Sequence, residues 1–195
     1  MLNVGADEPI DLGYGRSAEA CHRHGTGRVY LDFLLKIYEQ VSKRGHTMQF
    51  CSDFILHYPE LIRELPRDAI AINWGYEADH PFERESRAFA VAGIPFYVCP
   101  GTSSWNSLGG RWNNARENIR RAARAGKAQG AAGFLLTDWG DNGHWQQLPI
   151  SLPAYIYGSA VSWSGPGGED LDVAKCLSLH FFQDCLLYTS DAADE

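Results

Sequence analysis

The sequence has no apolar run approaching the 20 or so residues that a membrane-spanning helix takes. It has no run or stripe of basic residues, and 24 acids against 17 bases give a formal charge of -7. That balance argues against nucleic acid, whose binding rests on clustered Lys and Arg facing phosphates. There is no Cys-x-x-Cys and no Cys/His metal spacing; the five cysteines stand apart at 21, 51, 99, 176 and 185. Cys21-His22-Arg23-His24 comes nearest to a ligand cluster, and a loop is its ordinary reading. No glycine-rich phosphate loop follows a strand. No leader is visible either, because Met1 runs at once into strand-like sequence.

What is present is the material for one domain with a sizeable core: 195 residues, 45% hydrophobic and 21% charged. The aromatic content, 12% with six Trp, is high. Tryptophan usually serves as core, but flat sugar rings also stack on it.

The first strand is expected over residues 2–6, ended by Asp7-Glu8-Pro9, since a residue before proline is held extended and proline cannot pair in a central strand. Residues 11–27 are polar and glycine-rich and predict a long loop. Val29, Phe33, Ile37 and Val41 recur every four residues, with Leu34 and Tyr38 beside them, and predict a helix over 28–44, capped by Gly45. Further strands are expected over 47–51, 69–74, 94–99 and 133–137, the last one buried. Helices are expected over 59–65, 81–92, 113–129, 152–163 and 171–182, with Ala115, Ile119 and Ala122 as the buried stripe of the fourth in the chain. Trp112 and Trp163 read as packing residues.

Strands alternating with helices mean an α/β fold with a parallel sheet. Polar and aromatic residues gather after every strand: Asp7 and Glu8, Asp53, Trp74 and Tyr76, Tyr97 and Trp105, then Asp138, Trp139 and Asp141. A (β/α)8 TIM barrel collects all its strand ends around one site, whereas an open doubly wound sheet uses one switch point. Five βα units therefore predict the C-terminal part of a barrel, about strands 4–8.

Asn3-Val4-Gly5-Ala6-Asp7-Glu8 resembles the G-x-D-E strand end of glycoside hydrolase family 20, the β-N-acetylhexosaminidases. Trp139-Gly140-Asp141 is similar to that family's W-x-E, with Asp in place of Glu, and Trp74, Tyr97 and Trp105 fall at its aromatic positions. The sequence departs from the family at Cys51-Ser52-Asp53, where a tryptophan is usual, and at Val98-Cys99-Pro100 after Tyr97. The resemblance implies a retaining exo-glycosidase that hydrolyses terminal β-linked N-acetylhexosamine, with the substrate's acetamido oxygen as nucleophile, an exception to the two-carboxylate rule. It implies Glu8 as acid/base, Asp7 as stabiliser of the acetamido N–H and Tyr97 as holder of the acetamido oxygen. Trp74, Trp105 and Trp139 would wall the sugar, and Asp141 and Asp53 would bind substrate. No cofactor or metal is implied; the partner is an oligosaccharide or glycoconjugate. Adjacent strand residues point to opposite faces, so Asp7 and Glu8 reach one pocket only if the backbone turns there.

Two other functions fit the residues. One is a different retaining barrel glycosidase with Glu8 as acid and Asp138 or Asp141 as nucleophile, for which carboxyls near 5 Å apart would be diagnostic. The other is a non-catalytic carbohydrate-binding barrel, which need not keep Asp7 or Glu8. Taken alone, Asp7-Glu8 reads as a solvated loop, since charges are mostly exposed.

Residues 1–184 are thus expected to be a partial catalytic domain. Cys185–Glu195 resembles a translated sequencing adapter and is expected to be non-native; its three acids removed, 21 acids face 17 bases. Five-eighths of a barrel leaves open sheet edges, so the piece alone is expected to be inactive and aggregation-prone.

Overall fold

A computed structural model describes residues 1–184. The tail read as an adapter lies outside the described residues. The chain is α/β, with one five-stranded parallel sheet: β1 (Leu2–Asn3), β2 (Met48–Cys51), β3 (Ile70–Trp74), β4 (Phe96–Cys99) and β5 (Gly133–Phe134). The strands lie side by side in chain order, with Leu2 opposite Met48 and Gln49 opposite Ile70. An order without reversal has no topological switch point, the feature that defines doubly wound sheets. Among the described residues no helix is long and apolar enough to cross a membrane.

The chain divides into two compact units. The first comprises Met1–Trp74, Pro81–Val98 and Ala128–Gly133. Its helices are α1 (Ala18–His24), α2 (Thr26–Ser42) and α3 (Phe82–Ala92). Its core is Leu31 and Leu34 from α2, Met48 and Phe50 from β2, Ile72 from β3, and Phe82 and Phe89 from α3, all nearly inaccessible. Each such side chain contributes roughly 1.5–3 kcal/mol through removal from water. Alternation in β2, with Met48 and Phe50 buried between half-buried Gln49 and Cys51, marks a strand with one face covered.

Several expectations for this unit need correction. The strand 2–6 pairs regularly only at Leu2–Asn3, because Gly5 and Ala6 take left-handed backbone (φ 67° and 75°). Glu8, expected extended before Pro9, has φ 44°. The loop 11–27 contains α1, a run of helix-forming residues hidden between glycine-rich flanks. On α2 the buried face is Gly27, Tyr30, Leu31, Leu34 and Val41, while Phe33 is 65% exposed. A strict four-residue repeat drifts about 40° per step around a 3.6-residue helix, so the row is off the core at Phe33 and reaches it at Val41.

The second unit comprises Gly75–His80, Cys99–Lys127 and the described residues from Phe134 onward. It holds α4 (Trp112–Gln129), α5 (Leu152–Ser164) and the short α6 (Val173–Cys176). Ala115 and Ile119 of α4 pack with Ala154, Tyr157 and Val161 of α5, and Trp112 leans on the same cluster. The expected stripe Ala115, Ile119, Ala122 is fully buried. Two expectations fail: Trp163 is 93% exposed, and the last strand is short and half-buried, with Thr137 joining Gly101 through an isolated bridge.

Candidate functional site

The end of β1 carries the first candidate group. The backbone turn that Asp7 and Glu8 require is present: positive φ at Gly5, Ala6 and Glu8 takes the chain out of strand geometry. Holding non-glycine residues there costs on the order of 1–3 kcal/mol each, so surrounding contacts must fix it. Two do so. The Tyr30 hydroxyl, on α2, donates to the Ala6 carbonyl at 2.9 Å, and the Glu8 N–H donates to Asp53 Oδ2 at 3.2 Å. Asp53 follows β2, and its Oδ1 accepts from the Trp74 indole N–H at 3.0 Å. Asp7, Glu8, Asp53 and Trp74 are therefore gathered by the ends of three consecutive strands.

Cys51, the last residue of β2, belongs to the same group. Its thiol is pushed up to about 12 by burial, then by the charges of Asp7 and Asp53 and a hydrogen bond to Asp7. Burial raises Tyr30 as well, helped by Asp53, Cys51 and Asp7. Tyr30 and Phe54 pack ring to ring at 4.6 Å. Tyr30 was unmarked in the sequence, and Cys51 counted only as a departure from a family pattern. The available signal was Cys51-Ser52-Asp53 at a strand end, where polar residues gather in parallel α/β folds.

Tyr97 sits elsewhere. It is the second residue of β4, and its hydroxyl lies 3.9 Å from Met1 Sδ, before β1, whereas Asp7 and Glu8 follow β1. Its ring also covers Gly133, where a Cβ would fall 2.5 Å from ring carbons.

The second unit carries its own cluster. The Trp139 indole N–H donates to the Tyr76 hydroxyl at 2.8 Å, and Tyr76 meets Trp105 edge to face at 5.0 Å. Gly101 lets these rings close in, since a Cβ there would lie 2.4 Å from Trp105 and 2.8 Å from Tyr76. Two asparagines one turn apart on α4 hold the loop beneath. Asn118, fully buried, donates to the carbonyls of Gly75 (3.0 Å) and Glu77 (2.8 Å) and accepts from the Gly101 N–H (3.1 Å). Asn114 donates to the Tyr76 carbonyl at 2.6 Å and accepts from the Ala78 N–H at 2.8 Å. Asp141 is exposed at the start of a one-turn helix, Asp141–Gly143.

Asp138 of this unit accepts from three hydroxyls. Thr102 and Ser104 hydroxyls donate to its Oδ1 at 2.7 and 2.6 Å, and the Tyr155 hydroxyl to its Oδ2 at 3.1 Å. Burial pushes this carboxyl up, but hydrogen bonds from Ser104, Ser151, Thr102 and Tyr155 outweigh it and hold it below the usual carboxylate range. Among the described residues no group of three or more His, Cys, Asp or Glu is placed to hold a metal ion. Cys21 is buried on α1 while His22, Arg23 and His24 are exposed.

No family model matches the chain, and no curated protein matches it.

Proposed function

We propose that the chain carries the acid/base machinery of a retaining β-N-acetylhexosaminidase of the glycoside hydrolase family 20 type. In this reading its five strands are strands four to eight of a (β/α)8 barrel. The strand order without reversal favours the barrel over a doubly wound sheet. The observation that carries the function is the braced turn at Asp7-Glu8. Two consecutive carboxylates sit in a turn with positive φ at Ala6 and Glu8, pinned on both sides of Asp7, at a strand's C-terminal end. A solvated loop has no need of such bracing.

Glu8 donates a proton to the leaving glycosidic oxygen and then takes one from water. Asp7 accepts the acetamido N–H and stabilises the oxazolinium charge as the acetamido oxygen attacks the anomeric carbon. Trp74, half-buried at the end of β3, offers a face for the sugar; Trp105, Trp139 and Asp141 belong to the second unit. The role expected of Tyr97 draws no support from its contact with Met1. The competing nucleophile reading is weakened at Asp138, where three hydroxyls occupy both oxygens.

The test uses a longer gene product containing residues 1–184, with nitrophenyl β-glycosides, since the 195-residue chain alone is expected to be inactive. Hydrolysis is expected with N-acetylglucosaminide or N-acetylgalactosaminide and not with the plain glucoside or galactoside. Glu8→Gln is expected to lower kcat by about 10²–10⁴-fold. Equal turnover of the plain glycosides sinks the reading.

A further inference from the structure

Building on that reading, we propose that Asp53 is a positioning residue for the proton donor: one carboxylate ties the Glu8 backbone to the Trp74 indole and thereby sets the direction in which the Glu8 side chain leaves the strand end. From the sequence, Asp53 stands as a substrate ligand, as a residue that positions the acid, or as a cap for the next helix. The cap does not exist. The one-turn helix after it, Ile55–His57, has Phe54 at its N-cap and no side-chain cap bond. Each Asp53 oxygen instead faces a protein N–H: Glu8 at 3.2 Å on Oδ2 and the indole at 3.0 Å on Oδ1.

The arrangement has the marks of a brace. The indole is a rigid, half-buried plane at the end of β3, so it fixes the carboxylate from one side. The carboxylate in turn fixes an N–H whose residue has φ 44° immediately before a proline, a backbone that relaxes toward extended geometry when released. On the other side of Asp7, the Tyr30 hydroxyl holds the Ala6 carbonyl. A hydrogen bond to an ionised acceptor is about twice as strong as a neutral one, which suits a clamp on strained backbone. Asn is the sharp probe. It preserves size, but its NH2 must face one of the two N–H donors, so one bond is lost whichever way it turns.

The experiment compares, in a longer gene product containing residues 1–184, wild type, Asp53→Asn, Glu8→Gln and the double variant on N-acetylhexosaminides graded by leaving group. A dinitrophenol leaves without a proton; a sugar or methyl alcohol needs one. A brace on the acid predicts that Asp53→Asn lowers kcat on the poor leaving groups by about 10–100-fold with KM little changed, as a misplacement near 1 Å does. The loss shrinks to within about 3-fold for dinitrophenyl. The double variant should be no slower than Glu8→Gln alone, since both changes act on one group. A loss independent of leaving group, or additive losses, overturns the proposal. A wild type that hydrolyses no N-acetylhexosaminide instead overturns the function it rests on. Amide exchange by NMR on the 195-residue chain reads the brace without activity. In Asp53→Asn the Glu8 amide or the Trp74 indole N–H should exchange about 10-fold faster or more, and unchanged exchange at both overturns the proposal.

Discussion

Residues 6 to 8 spend backbone energy to aim two carboxylates, and Cys51 reports on that arrangement. Its thiol, raised to about 12 by burial and by Asp7 and Asp53, is protonated across the neutral range. Iodoacetamide attacks thiolate, so Cys51 is expected to stay unmodified at pH 7–9 in the folded chain, read by peptide mass spectrometry. Removing a neighbouring negative charge favours the thiolate, so Asp7→Asn should bring the onset of alkylation to lower pH. Rapid labelling of wild-type Cys51 at pH 8 would contradict the geometry. At this scale the acids were legible because Asp-Glu-Pro ends an apolar run. Their braces were not: Tyr30 and Asp53 come from 23 and 46 residues beyond Asp7, and only pairing of β1 with β2 brings them together. The left-handed Glu8 also overrides the local rule that a pre-proline residue is extended.

The elements read more clearly than their faces. The expected bounds of α2, α3, α4 and α5 fall within about two residues of the observed ones, α2 and α4 having been placed by their apolar repeats. On α2 Leu34 and Val41 of the expected face are buried and Phe33 is not, because a row of every fourth residue moves around the helix. On α4 the signal was present but unused, for Asn118 lies inside the buried stripe of Ala115, Ile119 and Ala122. A buried asparagine there implies backbone partners. Asn118→Ala removes three hydrogen bonds, and a loss of roughly 3 kcal/mol is expected at about 1 kcal/mol net per bond, seen as a lower urea midpoint. Asp138 anchors the neighbouring hydroxyls, and Asp138→Asn is expected to cost about 1–3 kcal/mol by leaving buried hydroxyls poorly paired. The pH dependence has a definite sign. A carboxyl lowered on folding stabilises fully above the unfolded value, about pH 4, and its contribution disappears as pH falls through the lower folded value. The stability gap between wild type and Asp138→Asn should stay level from pH 7 to 5 and narrow below 4. A gap that widens on acidification would contradict the hydrogen-bond pattern.

At the scale of the molecule, β1 and β5 each have a neighbour on one side only in the sheet order. Unpaired strand edges recruit other chains, so light scattering of the 195-residue chain is expected to rise with concentration. Asn3→Lys on the β1 edge should reduce it; a monodisperse monomer at high concentration would refute this. The α/β class and the order of elements were legible because strand and helix periods alternate along the chain. The side-by-side order of the strands agrees with the barrel expectation; the register between distant segments was not legible. That arrangement bears on synthesis. Each strand after the first meets a neighbour made before it, Met48 finding Leu2 and Ile70 finding Gln49. The order of emergence from the ribosome therefore matches the spatial order of the strands, so that each new strand appears with its neighbour already made.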